Sequence, residues 1–176
     1  MKKNIQLLML FVSLFFTACN TATPNDYFGQ AVLNSNMLNG FADERGLPEL
    51  EYGTAKLQKD GTTATMPRKE ILEEKIKFLQ EALKKIKGLE QTTDTKEMIL
   101  TSIELYEYAI PVYKTEYAQL AKAYDENASK ETIQSETQVI HEKYYKHYNE
   151  LYEKLISIGK VYAEKNSIKV NWNVGA

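Results

Sequence analysis

Tyrosine and histidine are the residues whose types and spacing in this chain could do chemistry. Of 12 tyrosines in 176 residues, nine fall between Tyr106 and Tyr152. In "YEYAIPVYKTEY", Tyr106, Tyr108, Tyr113 and Tyr117 surround Pro111; in "HEKYYKHYNELY", Tyr144, Tyr145, Tyr148 and Tyr152 follow at close spacing. Proline inside a helix removes an i→i−4 hydrogen bond and kinks it. An aromatic-lined kink can open a pocket for a flat or sugar-like ligand. Tyr106, Tyr108, Tyr113, Tyr117, Tyr145 and Tyr148 are therefore the candidate ligand-binding residues. The same rings have a structural use: most lie on a hydrophobic seam, where the ring is buried and the hydroxyl reaches the rim for a partner. Off-seam Tyr108, Tyr145 and Tyr152 suit the binding reading better, since aromatic residues are enriched at binding surfaces. From the sequence both readings are open.

Other chemistry finds little support. His141 and His147 stand six residues apart, about 240° around a helix, so they do not share a ligand or a proton relay. Bundle metal sites use paired Glu-x-x-His motifs, but Gln138 and Tyr144 precede the two histidines at that spacing. His147 with Glu150 is a single pair in reversed order and reads as a solvated contact. No Gly-x-Ser-x-Gly elbow, dinucleotide glycine motif or phosphate loop occurs. Glu104, Glu107 and Glu116 lie near the tyrosine seam and read as surface helix residues. The expectation is no catalytic residue, no metal and no cofactor.

The only cysteine, Cys19, closes "MKKNIQLLMLFVSLFFTACN". Lys2 and Lys3 precede an apolar block, Ile5 to Phe16, too short for a membrane-spanning helix and suited to a secretory signal. Small residues Thr17 and Ala18 follow. Phe16-Thr17-Ala18-Cys19 resembles the bacterial lipobox, which implies lipidation of the Cys19 thiol and cleavage to make it the mature N-terminus. Two or three acyl chains, as that resemblance implies, would form an effectively permanent anchor. Loss of Lys2 and Lys3 takes the net charge from −2 to −4. Mild acidity without a basic stripe argues against a nucleic-acid partner. A lone cysteine also permits no internal disulfide, so the core alone must hold the fold.

The positioning elements follow from hydrophobic spacing. Residues 1–18 read as signal peptide, 19–25 as a lipidated polar tether, and 26–176 as one helical domain. A first helix is expected from Asp26, as N-cap, to about Ala42, weakened by Gly29, Asn34, Asn36, Asn39 and Gly40. Residues 43–66 form a long irregular loop, either packed, with a hairpin turning at Asp60-Gly61 as one option, or mobile. A second helix opens at Pro67 and stops at Gly88, with the seam Leu72, Ile76, Leu79, Leu83, Ile86. A third, about 94–125, carries Ile99, Ile103, Tyr106, Ile110, Tyr113, Tyr117, Leu120 and Tyr124 in unbroken four-three steps. A fourth, about Lys130 to Lys165, carries Ile140, Tyr144, His147, Leu151, Leu155, Ile158 and Tyr162, with a slip near Leu151. Such stepping makes shallow-angle bundle packing, and short turns force antiparallel neighbours. Ile168, Val170, Trp172 and Val174 alternate with polar residues, so the tail is expected to lie extended over the bundle. The fold class is all-α: an antiparallel, up-down bundle of about four helices with a long loop and an extended tail.

Leu105-Tyr106-Glu107-Tyr108 running to Tyr113-Lys114-x-Glu116-Tyr117, with Asn25-Asp26-Tyr27 after a lipobox leader, resembles an uncharacterised family of predicted surface lipoproteins of Gram-negative-type bacteria. The likeness spans residues 19–168. It implies location and helical fold, and no chemistry, because the family has no assigned activity. Asn20 after the cysteine, in place of aspartate, resembles the sorting signal that permits transport to the outer membrane. The expected partners are the membrane, through Cys19, and a protein or small ligand.

Overall fold

The computed structural model of the protein describes residues 22–172; residues 1–18, read as signal peptide, Cys19 and Val174 lie outside them. The described chain is predominantly helical, with one small two-stranded sheet. Helix α1 (Pro24–Ala31) begins in a capping box. Thr23 Oγ1 accepts the Asp26 N–H at 3.2 Å and Asp26 Oδ2 accepts the Thr23 N–H at 2.8 Å, satisfying two otherwise free donors. Asp26, expected as the cap, is thus the third helical residue, and the helix starts within the stretch expected to be tether. It also ends sooner than residue 42. A 3₁₀ helix (Leu33–Leu38) and a turn follow, with Gly40 at φ +80° and Ala42 at φ +53°. Asn34, Asn36, Asn39 and Gly40 favour this tighter, irregular course over a continued α-helix.

The segment 43–66 is built. It contains a one-turn helix, α2 (Pro48–Glu51), and an antiparallel hairpin of β1 (Ala55–Leu57) and β2 (Thr63–Thr65), with Ala55 opposite Thr65. Asp60 Oδ1 accepts the Thr62 N–H at 3.0 Å and Gly61 takes φ +84°, a backbone state that suits glycine. The hairpin therefore turns at Asp60-Gly61.

Helix α3 (Arg68–Lys87) runs from Pro67 to Gly88 as the start and stop signals dictate. Its first N–H groups meet the Asp125 carboxylate, at 2.8 Å from Arg68 and 3.1 Å from Lys69. An anion there also complements the helix dipole.

The single helix expected over 94–125 is two: α4 (Lys96–Lys114) and α5 (Glu116–Asp125), broken at Thr115 with φ −114° and ψ −79°. Pro111 lies inside α4, and the break falls four residues later. There the Thr115 N–H turns to Val112 O at 3.3 Å, while its hydroxyl reaches Pro111 O at 3.0 Å. Side-chain bonding to the i−4 carbonyl in this way bends helices. The seam keeps its phase across the break: Ile99, Tyr106, Ile110, Tyr113, Tyr117 and Leu120 are all buried.

Helix α6 (Lys130–Lys165) is capped by Ser129, whose Oγ accepts the Thr132 N–H at 3.2 Å. Its 36 residues extend roughly 54 Å. The slip in its seam falls at one step, with Tyr148 buried and neighbouring His147 exposed. Helix α3 packs on α4 and α5, α6 packs on the same two, and α1 touches α3, α4 and α6. Beyond α6 the chain leaves regular structure. Ile168, Val170 and Trp172 lie against the core, with the Trp172 ring edge-on to Phe28 at 5.8 Å.

Candidate functional site

Phe41, 1% exposed, stands at the centre of the tyrosines. Its ring centroid lies 4.8 Å from Tyr148, 5.4 Å from Tyr113, 6.0 Å from Tyr117 and 6.3 Å from Tyr108. The surrounding hydroxyls bind the backbone that delivers Phe41. Tyr106 donates to Asn34 O at 2.7 Å, Tyr148 donates to Leu38 O at 2.9 Å, and Tyr117 accepts the Ala42 N–H at 2.8 Å. His141 Nδ1 meets Ala42 O at 2.8 Å, which fixes the proton on Nδ1, since a carbonyl only accepts. Ala42, fully buried in the left-handed region, is thereby held at both ends of its backbone.

Burial pushes the phenols of Tyr106, Tyr113, Tyr117 and Tyr148 well above the usual tyrosine range, so all four are neutral at physiological pH. Tyr113 differs from the others in that its hydroxyl has no hydrogen-bond partner. Tyr108, half-buried, donates to Tyr144 O at 3.3 Å and meets His147 edge-on at 4.7 Å. The two histidines accordingly serve separate places.

The groove beside Pro111, about 450 Å³, is floored by Leu83, Ile110 and Pro111 and rimmed by lysines such as Lys84 and Lys114. No tyrosine lines it. Pro111 and the tyrosine cluster, joined in the sequence expectation, occupy different places.

A larger groove of about 680 Å³ runs between α6 and the segment 39–52. Tyr145, Tyr148, Asn149 and Tyr152 line its α6 wall, spaced i, i+3, i+4, i+7 and hence on one helix face. Tyr145 stacks on His141 at 4.8 Å and Tyr152 on Tyr148 at 5.9 Å. The opposite wall offers Asp43, Glu49, Glu51 and the exposed ring of Tyr52. Asp43 takes Arg45 Nε at 2.9 Å and its terminal nitrogen at 3.0 Å, bonds that hold its carboxyl below the usual range. Glu49 pairs with half-buried Lys75 at 2.7 Å.

Of the expected site residues, Tyr145 and Tyr148 reach this groove, Tyr106, Tyr113 and Tyr117 sit in the core, and Tyr108 borders it. The sequence signal for the α6 wall was the off-seam position of Tyr145 and Tyr152. Nothing in the spacing of Asp43, Glu49 and Tyr52 could have paired them with residues about a hundred positions later.

A second charged cluster joins α5 to α6. Burial alone would raise the Glu116 carboxyl. Hydrogen bonds from the Thr115 and Tyr144 hydroxyls, its own N–H and Lys143 outweigh that and bring it down to about 2. Glu116 is a fixed anion, unsuited to proton transfer near neutrality. Among the described residues, no group of three or more His, Cys, Asp or Glu could hold a metal ion, and no helix is long and apolar enough to cross a membrane. The chain matches no family model, and no curated protein or solved structure matches it.

Proposed function

We propose that the protein is a lipid-anchored bacterial envelope protein, held at the outer membrane through Cys19, whose domain is a non-catalytic binding module. Membership of the predicted surface lipoproteins, and an up-down antiparallel order of α3, α4–α5 and α6, are part of this reading. The succession of sequence features at the N-terminus supports the anchor: positive charge, an apolar block, small residues and a single cysteine. The observation that carries the binding role is the α6 groove, where Tyr145 and Tyr52 are exposed beside carboxylates in a recess of ligand size. Support for a role without catalysis comes from the groups a reaction would use. The buried phenols are neutral, His141 is engaged by Ala42, and Glu116 is locked as an anion. The reading of a small-ligand pocket at the Pro111 kink gains no support, because Phe41 fills the space among the tyrosines.

Two measurements on the full chain test the two halves. In cell fractionation, wild type should follow the membranes and Cys19→Ala should leave them; a membrane-bound Cys19→Ala would overturn the anchor. In native mass spectrometry of the chain purified from cells, wild type should carry a bound adduct that Asn149→Trp, which fills the groove, loses. An adduct insensitive to Asn149→Trp, or none, would overturn the groove as the binding site.

A further inference from the structure

The α6 groove combines open aromatic faces with an unbalanced negative charge, and from that combination we infer that it takes a small organic cation, an alkylated ammonium head group. The inference rests on the reading of this groove as a binding site and names its ligand class. Tyr145 has one face against His141, stacked at an interplanar angle of 27°, and is 38% exposed. Tyr152 is stacked in the same manner on Tyr148, at 25°. Tyr52, 78% exposed, stands on the opposite wall. An aromatic face carries the negative part of the ring quadrupole and attracts a cation placed over it, most strongly one that sheds water easily, such as a quaternary ammonium.

The charges of the groove point the same way. Of its three carboxylates, Asp43 is neutralised by Arg45 and Glu49 by Lys75. Glu51 has no ion-pair partner among the described residues, and it adjoins Tyr52 in the chain. An anionic ligand would meet Glu51 and find the one guanidinium of the groove, Arg45, already bonded at two nitrogens. A neutral sugar could use the rings but would leave Glu51 unpaired. A cation satisfies both features at once. The recess, about 680 Å³, exceeds what an ammonium head alone fills, so the head group is part of a larger molecule.

The test uses the full-length chain in a polyoxyethylene detergent, which carries neither a cation nor a sugar. Choline chloride and methyl glucoside are titrated separately and followed by saturation-transfer NMR. Choline should bind saturably, weaken as salt is added, and bind roughly fivefold more weakly to Tyr145→Ala and to Tyr52→Ala. Glu51→Gln should also weaken choline. Tyr52 and Glu51 are exposed, so far-UV circular dichroism of those two variants should match wild type and keep the test independent of folding. Glucoside binding in place of choline, lost in Tyr145→Ala, would overturn the cation and leave the groove as a binding site. Choline binding indifferent to all three variants, or no choline binding, would likewise overturn the inference. The groove itself stands or falls separately, on the adduct lost or kept in Asn149→Trp.

Discussion

Tyr113 and Tyr117 stack at 4.9 Å, are both buried, and differ in what their hydroxyls meet. Removal of the same oxygen should therefore have opposite consequences. Tyr117→Phe strands the buried N–H of Ala42, and an unsatisfied buried donor costs about 1–3 kcal/mol. Tyr113→Phe removes a hydroxyl that has no partner, so stability should hold or rise by about 1 kcal/mol. Urea-unfolding midpoints of the two variants against wild type check this; a Tyr113→Phe loss as large as that of Tyr117→Phe would contradict the bonding described. The sequence marked both residues as seam positions. It could not tell them apart, because the difference lies in Ala42, whose position in space depends on the turn at Gly40.

At the scale of elements, Gly159 marks a close approach between α6 and the N-terminal segment. A Cβ built there would lie 2.8 Å from Val32 Cγ1 and 3.1 Å from Cγ2. Ala is the better helix former by about 1 kcal/mol, so on an exposed helix Gly159→Ala would stabilise. Here Val32 is 1% exposed and β-branched, with little rotamer freedom to move aside. Overpacking of this kind costs about 1–3 kcal/mol, and Gly159→Ala should lower the thermal midpoint. In the double variant Val32→Ala with Gly159→Ala, the loss should be smaller than the sum of the single losses, a coupling expected only of residues in contact. The ends of α3 were legible because Pro67 and Gly88 act locally, and those of α6 from the extent of its apolar pattern. The break at Thr115 was not: the four-three pattern of apolar residues runs through it unchanged, and the bend preserves the buried face.

For the molecule as a whole, the buried phenols set an alkaline limit. The folded protein raises the Tyr106, Tyr113, Tyr117 and Tyr148 pKa values above the ordinary 10.0. A group whose folded pKa is raised contributes stability that is complete below the unfolded value and declines as pH climbs beyond it. Unfolding free energy should carry no loss from these rings up to about pH 10 and should fall above it. Their tyrosinate absorbance should appear together with the loss of far-UV helical signal. Ionisation of the four rings with the helical signal intact would contradict their placement in the core.

By itself the sequence determined the helical class and the ends of α3 and α6, because each follows from spacing and from residues that act within a few positions; for residues 43–66 it offered the hairpin turn at Asp60-Gly61 only as one option, and it placed on the α6 seam a His147 that is exposed. It also carries the N-terminal apolar run and Cys19, on which the proposed anchoring rests. Only the tertiary structure decided the place of the tyrosines. Phe41 lies 72 positions before Tyr113, and no periodicity of either segment reveals that its ring enters between Tyr108, Tyr113, Tyr117 and Tyr148. The same holds for the groove. One wall is a helix face readable from i, i+3, i+4, i+7 spacing, while the other is the irregular segment 39–52, whose course depends on long-range bonds from Tyr117 and His141 to the backbone of Ala42 and from Tyr148 to Leu38 just before it.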